Sequence, residues 1–194
     1  MEQYLEASEF IDWRDPLVLA RARRLSRGLT DELVIAAACY RYVRDSVRHS
    51  GDHGLDPVTC RASEVVREGA GLCYGKSHLL AALLRANELP AGLCYQRVAT
   101  GVPGEYGLHG LNAVWLHNHG WYRMDARGNR PGLKADFCPP VERLPYTTDD
   151  DGEYLLPGIY ARPLGVVTTS LLSATNSHQI VQSLPDMPCD QVPA

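Results

Sequence analysis

Residues 69–88, GAGLCYGKSHLLAALLRANE, constrain this chain more than any other stretch. Gly69-Ala70-Gly71-Leu72 breaks the preceding structure, and from Tyr74 the pattern is helical through about Glu88. Leu79, Leu80, Leu83 and Leu84 make this helix apolar nearly all round, so it belongs in the core of the domain. Cys73 therefore stands at the amino terminus of a core helix. Unsatisfied backbone N–H groups and the positive end of the helix dipole converge there. Both favour thiolate over thiol, the condition for a nucleophilic cysteine, and the same N–H groups can hold an oxyanion. The alternative for Cys73 taken alone is a small buried hydrophobe, the usual fate of a free cysteine.

The rest of the composition sets bounds. Hydrophobic residues make up 45% and charged residues 22% of 194 residues, which suits one globular domain and excludes disorder of the whole chain. The 19 Lys+Arg against 23 Asp+Glu give a net charge of -4, the wrong sign for a nucleic-acid partner. No window approaches the roughly 18 consecutive apolar residues of a membrane span, so no membrane partner is expected. The acidic start, MEQYLEASEFIDWRD, lacks the layout of a secretory signal, and the expected location is cytoplasmic. In that setting Cys39, Cys60, Cys73, Cys94, Cys138 and Cys189 read as free thiols. None forms a CxxC pair, so no structural metal and no cofactor is expected.

Along the chain, Asp15-Pro16 opens a helix that Gly28 stops. Thr30 caps a second helix, whose stripe Leu33, Ala36, Ala37, Tyr40, Val43 and Val47 runs to about His49. A short helical piece follows at Ser63–Glu68. Leu93–Val98 reads as a strand, residues 100–108 as a Gly/Pro loop, and Leu111–Leu116 with Trp121–Asp125 as a hairpin. Further strands are expected around 154–160 and 164–170, with a helix near 177–184. Asp149-Asp150-Asp151-Gly152 reads as a solvated acidic turn, since calcium-loop spacing is absent.

A thiolate nucleophile needs a base, and the base needs an orienting group. His109 and Asp125 flank the hairpin. Side chains alternate faces along a strand, so these two share a face only if the connecting loop has an odd number of residues. A three-residue loop, His117-Asn118-His119, with Gly120 as the left-handed bulge residue, meets that condition. It sets Leu111 opposite Asp125 and His109 diagonal to it, within side-chain reach. Of the other histidines, His78 lies at i+5 from Cys73 on a different helix face, and His117 and His119 read as solvated turn residues. The last two would make a surface metal clip only with a third ligand, which the surrounding residues do not identify.

GLCYGKSHLLAALLRANELPAG, HGLNAVWL and GWYRMDARGN resemble, in order, the three core motifs of the transglutaminase-like superfamily. The similarity runs from about Asp31 to Asn129 and lies with the small bacterial branch described as transglutaminase-like cysteine proteases. It implies an α+β, papain-like fold with the Cys73 helix packed on an antiparallel sheet. It also implies Cys73 as nucleophile, His109 as general acid/base and Asp125 as orienter of the imidazole. Many relatives carry an aromatic soon after the histidine, where this chain has Gly110-Leu111-Asn112. For a second oxyanion donor or a substrate contact the candidates are Trp13, Tyr74 and Asn112. The chain then divides into one domain, residues 1–184, with a core at about 31–129, an extension at about 130–184 and a loosely ordered tail at 185–194.

The expected function is cysteine-dependent hydrolysis of an amide or peptide bond through a thioester. The substrate would be a protein, a peptide or a small amide. Acyl transfer to an amine is the alternative within the same chemistry. A non-catalytic binding module that keeps the fold, and a metal-dependent hydrolase using His109, His117 and His119, are the readings from other classes. Loops 100–108 and 145–158 should wall the cleft, and the region after Asn129 is expected to act as a flap.

Overall fold

The computed structural model describes residues 1–192. Helix α1, Pro16–Leu25, starts where Asp15 accepts the Leu17 N–H, with proline at the first position. Helix α2, Glu32–Arg41, is capped by Asp31, whose carboxylate accepts the Val34 N–H at 3.0 Å. The cap is thus one residue later than Thr30. The second helix is also shorter than its apolar stripe suggests. A single wide turn over Tyr42–Ser46 ends it, and Arg48–His49 goes extended as strand β1. Its partner decides this, because β1 pairs in parallel with β2, Ala70–Gly71, setting His49 against Gly71. Between them lie α3, Ser50–His53, and α4, Ala62–Glu68, which closes at Gly69 with φ +63°.

Helix α5, Cys73–Ala86, is buried at every residue from Cys73 to Arg85. One side lies against the sheet and the other against α1, α2 and α4. Even its charged residues have partners. The Arg85 guanidinium donates to the carbonyls of Glu6, Ala91 and Ala161, tying three chain segments to the helix end. Gly75 exists for close approach: a Cβ there would stand 2.8 Å from the Thr59 carbonyl oxygen.

The sheet is antiparallel and contains β3, Ala91–Ala99; β4, Tyr106–Leu116; and β5, Gly120–Met124. Its order is β5-β4-β3, extended on the β3 side by a short edge strand at residues 154–155. The hairpin register is the expected one. Leu116 pairs with Gly120 and Asn112 with Met124, leaving the three-residue loop 117–119 and Gly120 at φ +70°. Strand β4 begins earlier than expected, at Tyr106, so His109 lies inside it and pairs with Gln96.

Beyond the hairpin come β6, Asp136–Cys138, and β7, Val141–Arg143, then the edge strand β8, Tyr154–Leu155, with a further bridge from Tyr160 to Leu93. The segment read as a strand at 164–170 is instead a helix, α6, Gly165–Ser173. Its β-branched residues suit a strand, but Val167, Thr168 and Leu171 bury one helical face, and packing overrides that weak preference. Helix α7, Ser177–Gln182, follows. The expected loose tail is anchored as far as Met187. Asp186 takes a two-pronged contact from Arg97, Pro185 accepts the Leu108 N–H, and Met187 accepts the Tyr154 hydroxyl. Residues 193–194 of that tail lie outside the described residues. No helix among the described residues is long and apolar enough to cross a membrane.

Candidate active site

Parallel pairing of β1 with β2 delivers the chain to Leu72 in an extended conformation, and α5 starts at Cys73 with no side chain capping it. The N–H groups of the first turn therefore have no side-chain acceptor. The cleft in front of Cys73 has a volume of about 330 Å³. Its lining includes the apolar Val98, Leu108, Val181 and Leu184 and the polar His49, Asp52, Arg127 and Arg130.

His109 is 5% and Asp125 1% exposed. His109 Nε2 lies 2.5 Å from Asp125 Oδ2, while Asp125 Oδ1 accepts the Arg127 N–H at 2.7 Å. Both carboxylate oxygens are thus committed, one of them to the imidazole. With Nε2 facing Asp125, the remaining ring nitrogen is Nδ1, and His109 lines the same cleft as Cys73, whose charge helps hold the imidazole protonated. Burial pulls the His109 pKa down. The charges of Asp125 and Cys73 and the hydrogen bond to Asp125 outweigh it, leaving the pKa well above 6.5. The imidazolium is the favoured form. Over the ring sits Tyr146, its centroid 4.6 Å away and tilted 60°, with its carbonyl accepting from Gln96.

Behind this group lies Lys76, one turn along α5 and 1% exposed. Its ammonium donates to the Val47 carbonyl. Burial lowers its pKa to about 7, against the pull of Asp125. Among the polar lining residues, Arg127 grips Asp52 through two hydrogen bonds of 2.8 Å. His49 accepts the Asp52 N–H at Nδ1, and burial pushes its pKa down to about 3, so it is neutral.

The structure brings together Cys73, His109 and Asp125, and it places the other candidates differently. Trp13 donates its indole N–H to the Leu5 carbonyl and is not part of the cleft wall. Asn112 is buried between elements, donating to Ser77 and Gly92 carbonyls. Tyr74 borders the cleft, but its hydroxyl is committed to the Leu108 carbonyl. His78 is a core histidine: its ring contacts the Cys60 carbonyl, and burial lowers its pKa to about 4. His117 and His119 are exposed turn residues, and no cluster of three or more potential metal ligands occurs among the described residues. Burial raises the pKa of Cys39, Cys60 and Cys94 to about 12. Sequence reasoning missed Tyr146, Arg127 and the His49–Asp52 pair. Of these, Arg127 lies inside the GWYRMDARGN motif and Tyr146 in the 145–158 loop expected to wall the cleft, while no motif marks the His49–Asp52 pair.

The chain belongs to the transglutaminase-like superfamily, whose family model matches residues 19–126, more than half of it. Among solved structures it is similar to a proposed cysteine protease from Cytophaga hutchinsonii, at 19% identity and a TM-score of 0.54. That match covers 64% of this chain and 40% of the other. It is also similar to the periplasmic domain of TgpA from Pseudomonas aeruginosa, at 17% identity and a TM-score of 0.47, covering 63% of this chain and 45% of the other. The chain thus spans less than half the length of either structure, and at these identities the likeness is one of fold. No significant match occurs among curated proteins. The mixed helix and antiparallel-sheet architecture is the expected α+β transglutaminase core.

Proposed function

We propose that this chain is a cysteine-dependent hydrolase of amide or peptide bonds. The observation that carries this reading is the buried His109–Asp125 pair lining the same cleft as Cys73, which starts a helix with no side-chain cap. The Cys73 thiolate attacks the carbonyl carbon, and the carbonyl π electrons move to oxygen. First-turn N–H groups of α5 accommodate that oxyanion. As the tetrahedral species collapses, the C–N bond breaks and the leaving amine takes the proton from His109 Nδ1. A thioester on Cys73 remains. Water then attacks it, giving one proton to His109, and collapse releases the carboxylic acid and the thiolate. An amine in place of water gives transamidation by the same steps.

Intact-mass spectrometry after mixing with p-nitrophenyl acetate tests the scheme. An acetyl adduct that maps to Cys73, is absent in Cys73→Ala and accumulates more slowly in His109→Ala supports it. Absence of any adduct on Cys73 in the native protein rejects it. Adding a primary amine during turnover separates the two outcomes: amide product marks acyl transfer, and acetate alone marks hydrolysis.

A further inference from the structure

The polar lining of the cleft has an arrangement of charge that the proposed chemistry does not use. Arg127 and Asp52 neutralise each other through their paired hydrogen bonds. Arg130 stands outside that pair: its Nε is 3.9 Å from Asp52 Oδ1, and its side chain is 54% exposed at the cleft. Two guanidinium groups against one carboxylate leave one positive charge. The guanidinium of Arg130 keeps donors for a planar, two-pronged partner. His49 adds no charge. Because its Nδ1 accepts the Asp52 N–H, its proton is on Nε2, which makes it a neutral donor at the same end.

The cluster also adjoins the reacting site. The Arg127 peptide N–H holds Asp125, which holds His109, and Arg127, Arg130, His109 and Cys73 all line the one cleft. The apolar lining residues Val98, Leu108 and Leu184 offer no charge to an anion.

We infer that Arg130, backed by the Arg127–Asp52 pair and His49, forms a subsite for a carboxylate of the substrate. This rests on the hydrolase reading and narrows its substrate class to short acyl or peptide amides that carry a carboxylate near the scissile bond. A carboxylate fits better than a phosphate dianion, because the surplus is a single charge and Asp52 repels a second negative charge. The cleft, about 330 Å³, suits a segment of a few residues.

Two alkylating agents of similar size test it, iodoacetate with a carboxylate and iodoacetamide without. Rates are followed at Cys73 by peptide mapping, in the native chain, in Arg130→Gln and in Arg24→Gln, which removes a remote exposed charge. The iodoacetate-to-iodoacetamide rate ratio at Cys73 should fall about two- to fivefold in Arg130→Gln, the size of an exposed charge contact, and should hold in Arg24→Gln. An equal ratio in all three proteins overturns the subsite. Failure of Cys73 to react ahead of the exposed Cys189 with either reagent overturns the hydrolase reading and the subsite with it.

Protection of Cys73 then locates the carboxylate. Acetyl-Ala-Ala with a free carboxyl terminus, its terminal amide, and acetyl-Glu-Ala amide serve as competitors. Stronger protection by the free acid marks a terminal carboxylate, and stronger protection by the glutamyl amide marks an acidic side chain. Either should weaken in Arg130→Gln. Equal protection by all three, or matching protection by inorganic phosphate, rejects carboxylate recognition.

Discussion

Asp125 Oδ2 sits 2.5 Å from His109 Nε2, and the other Asp125 oxygen is held by the Arg127 N–H. The carboxylate therefore fixes both the ring's orientation and its protonation, and leaves Nδ1 as the remaining ring nitrogen. Because burial alone would keep His109 neutral, its positive charge depends on Asp125 and Cys73.

Asp125→Asn should lower turnover by on the order of 10³-fold or more, since the amide presents no charge and the wrong hydrogen-bonding pattern. His109 then loses the largest force raising its pKa, so the alkaline limb of the kcat/KM profile should move to lower pH. Ring titration by NMR gives the same answer without substrate. An unmoved His109 titration would contradict the assignment.

The raised His109 pKa also predicts a direction for stability. The contact contributes fully below the unfolded value, about 6.5, and its contribution is lost as pH rises through the elevated folded value. The thermal stability gap between the native chain and His109→Gln should therefore narrow on the alkaline side. Calorimetry across pH 5–10 reads it.

Lys76 predicts the opposite slope. Its folded pKa, about 7, lies below its ordinary 10.5, so between these values the unfolded chain binds a proton that the folded chain does not. Stability from this group rises with pH over that window. Lys76→Met loses the hydrogen bond to Val47, about 1 kcal/mol at any pH. Relative to the native chain, it should be more stable near pH 7 than near pH 10 by on the order of 2–4 kcal/mol. Denaturant unfolding at both pH values checks the sign.

Thiol reactivity should follow burial and position. Cys39, Cys60 and Cys94, with pKa values near 12, should resist iodoacetamide in the folded chain, while Cys73 should react faster than the exposed Cys189. Peptide mapping at neutral pH ranks them. His109→Ala should erase the Cys73 advantage.

Gly75→Ala should destabilise the fold by about 1–3 kcal/mol, because the new methyl meets the Thr59 carbonyl at 2.8 Å and backbone must move. The shift falls two residues from Cys73, so its alkylation rate should drop as well. A variant with unchanged denaturation midpoint and labelling rate would show that the segment at Thr59 yields freely.

What the sequence determined by itself was local or periodic. The glycine break before an apolar helix placed Cys73, and the odd loop at 117–119 followed from the rule that strand side chains alternate. Together these brought His109 and Asp125 to one face. Tertiary structure decided where local preference was weak or the partner distant. β-branched residues at 165–173 became a helix because one face could be buried, and Arg48–His49 left its helix to pair with Ala70–Gly71. The same is true of the cleft walls. Tyr146 lies 37 residues from His109 (146 − 109) and Asp52 lies 75 from Arg127, so their contacts exist only once the sheet and loops have closed. Short-range order follows from backbone geometry and hydrophobic period, whereas contacts between distant segments depend on which surfaces the whole chain must bury together.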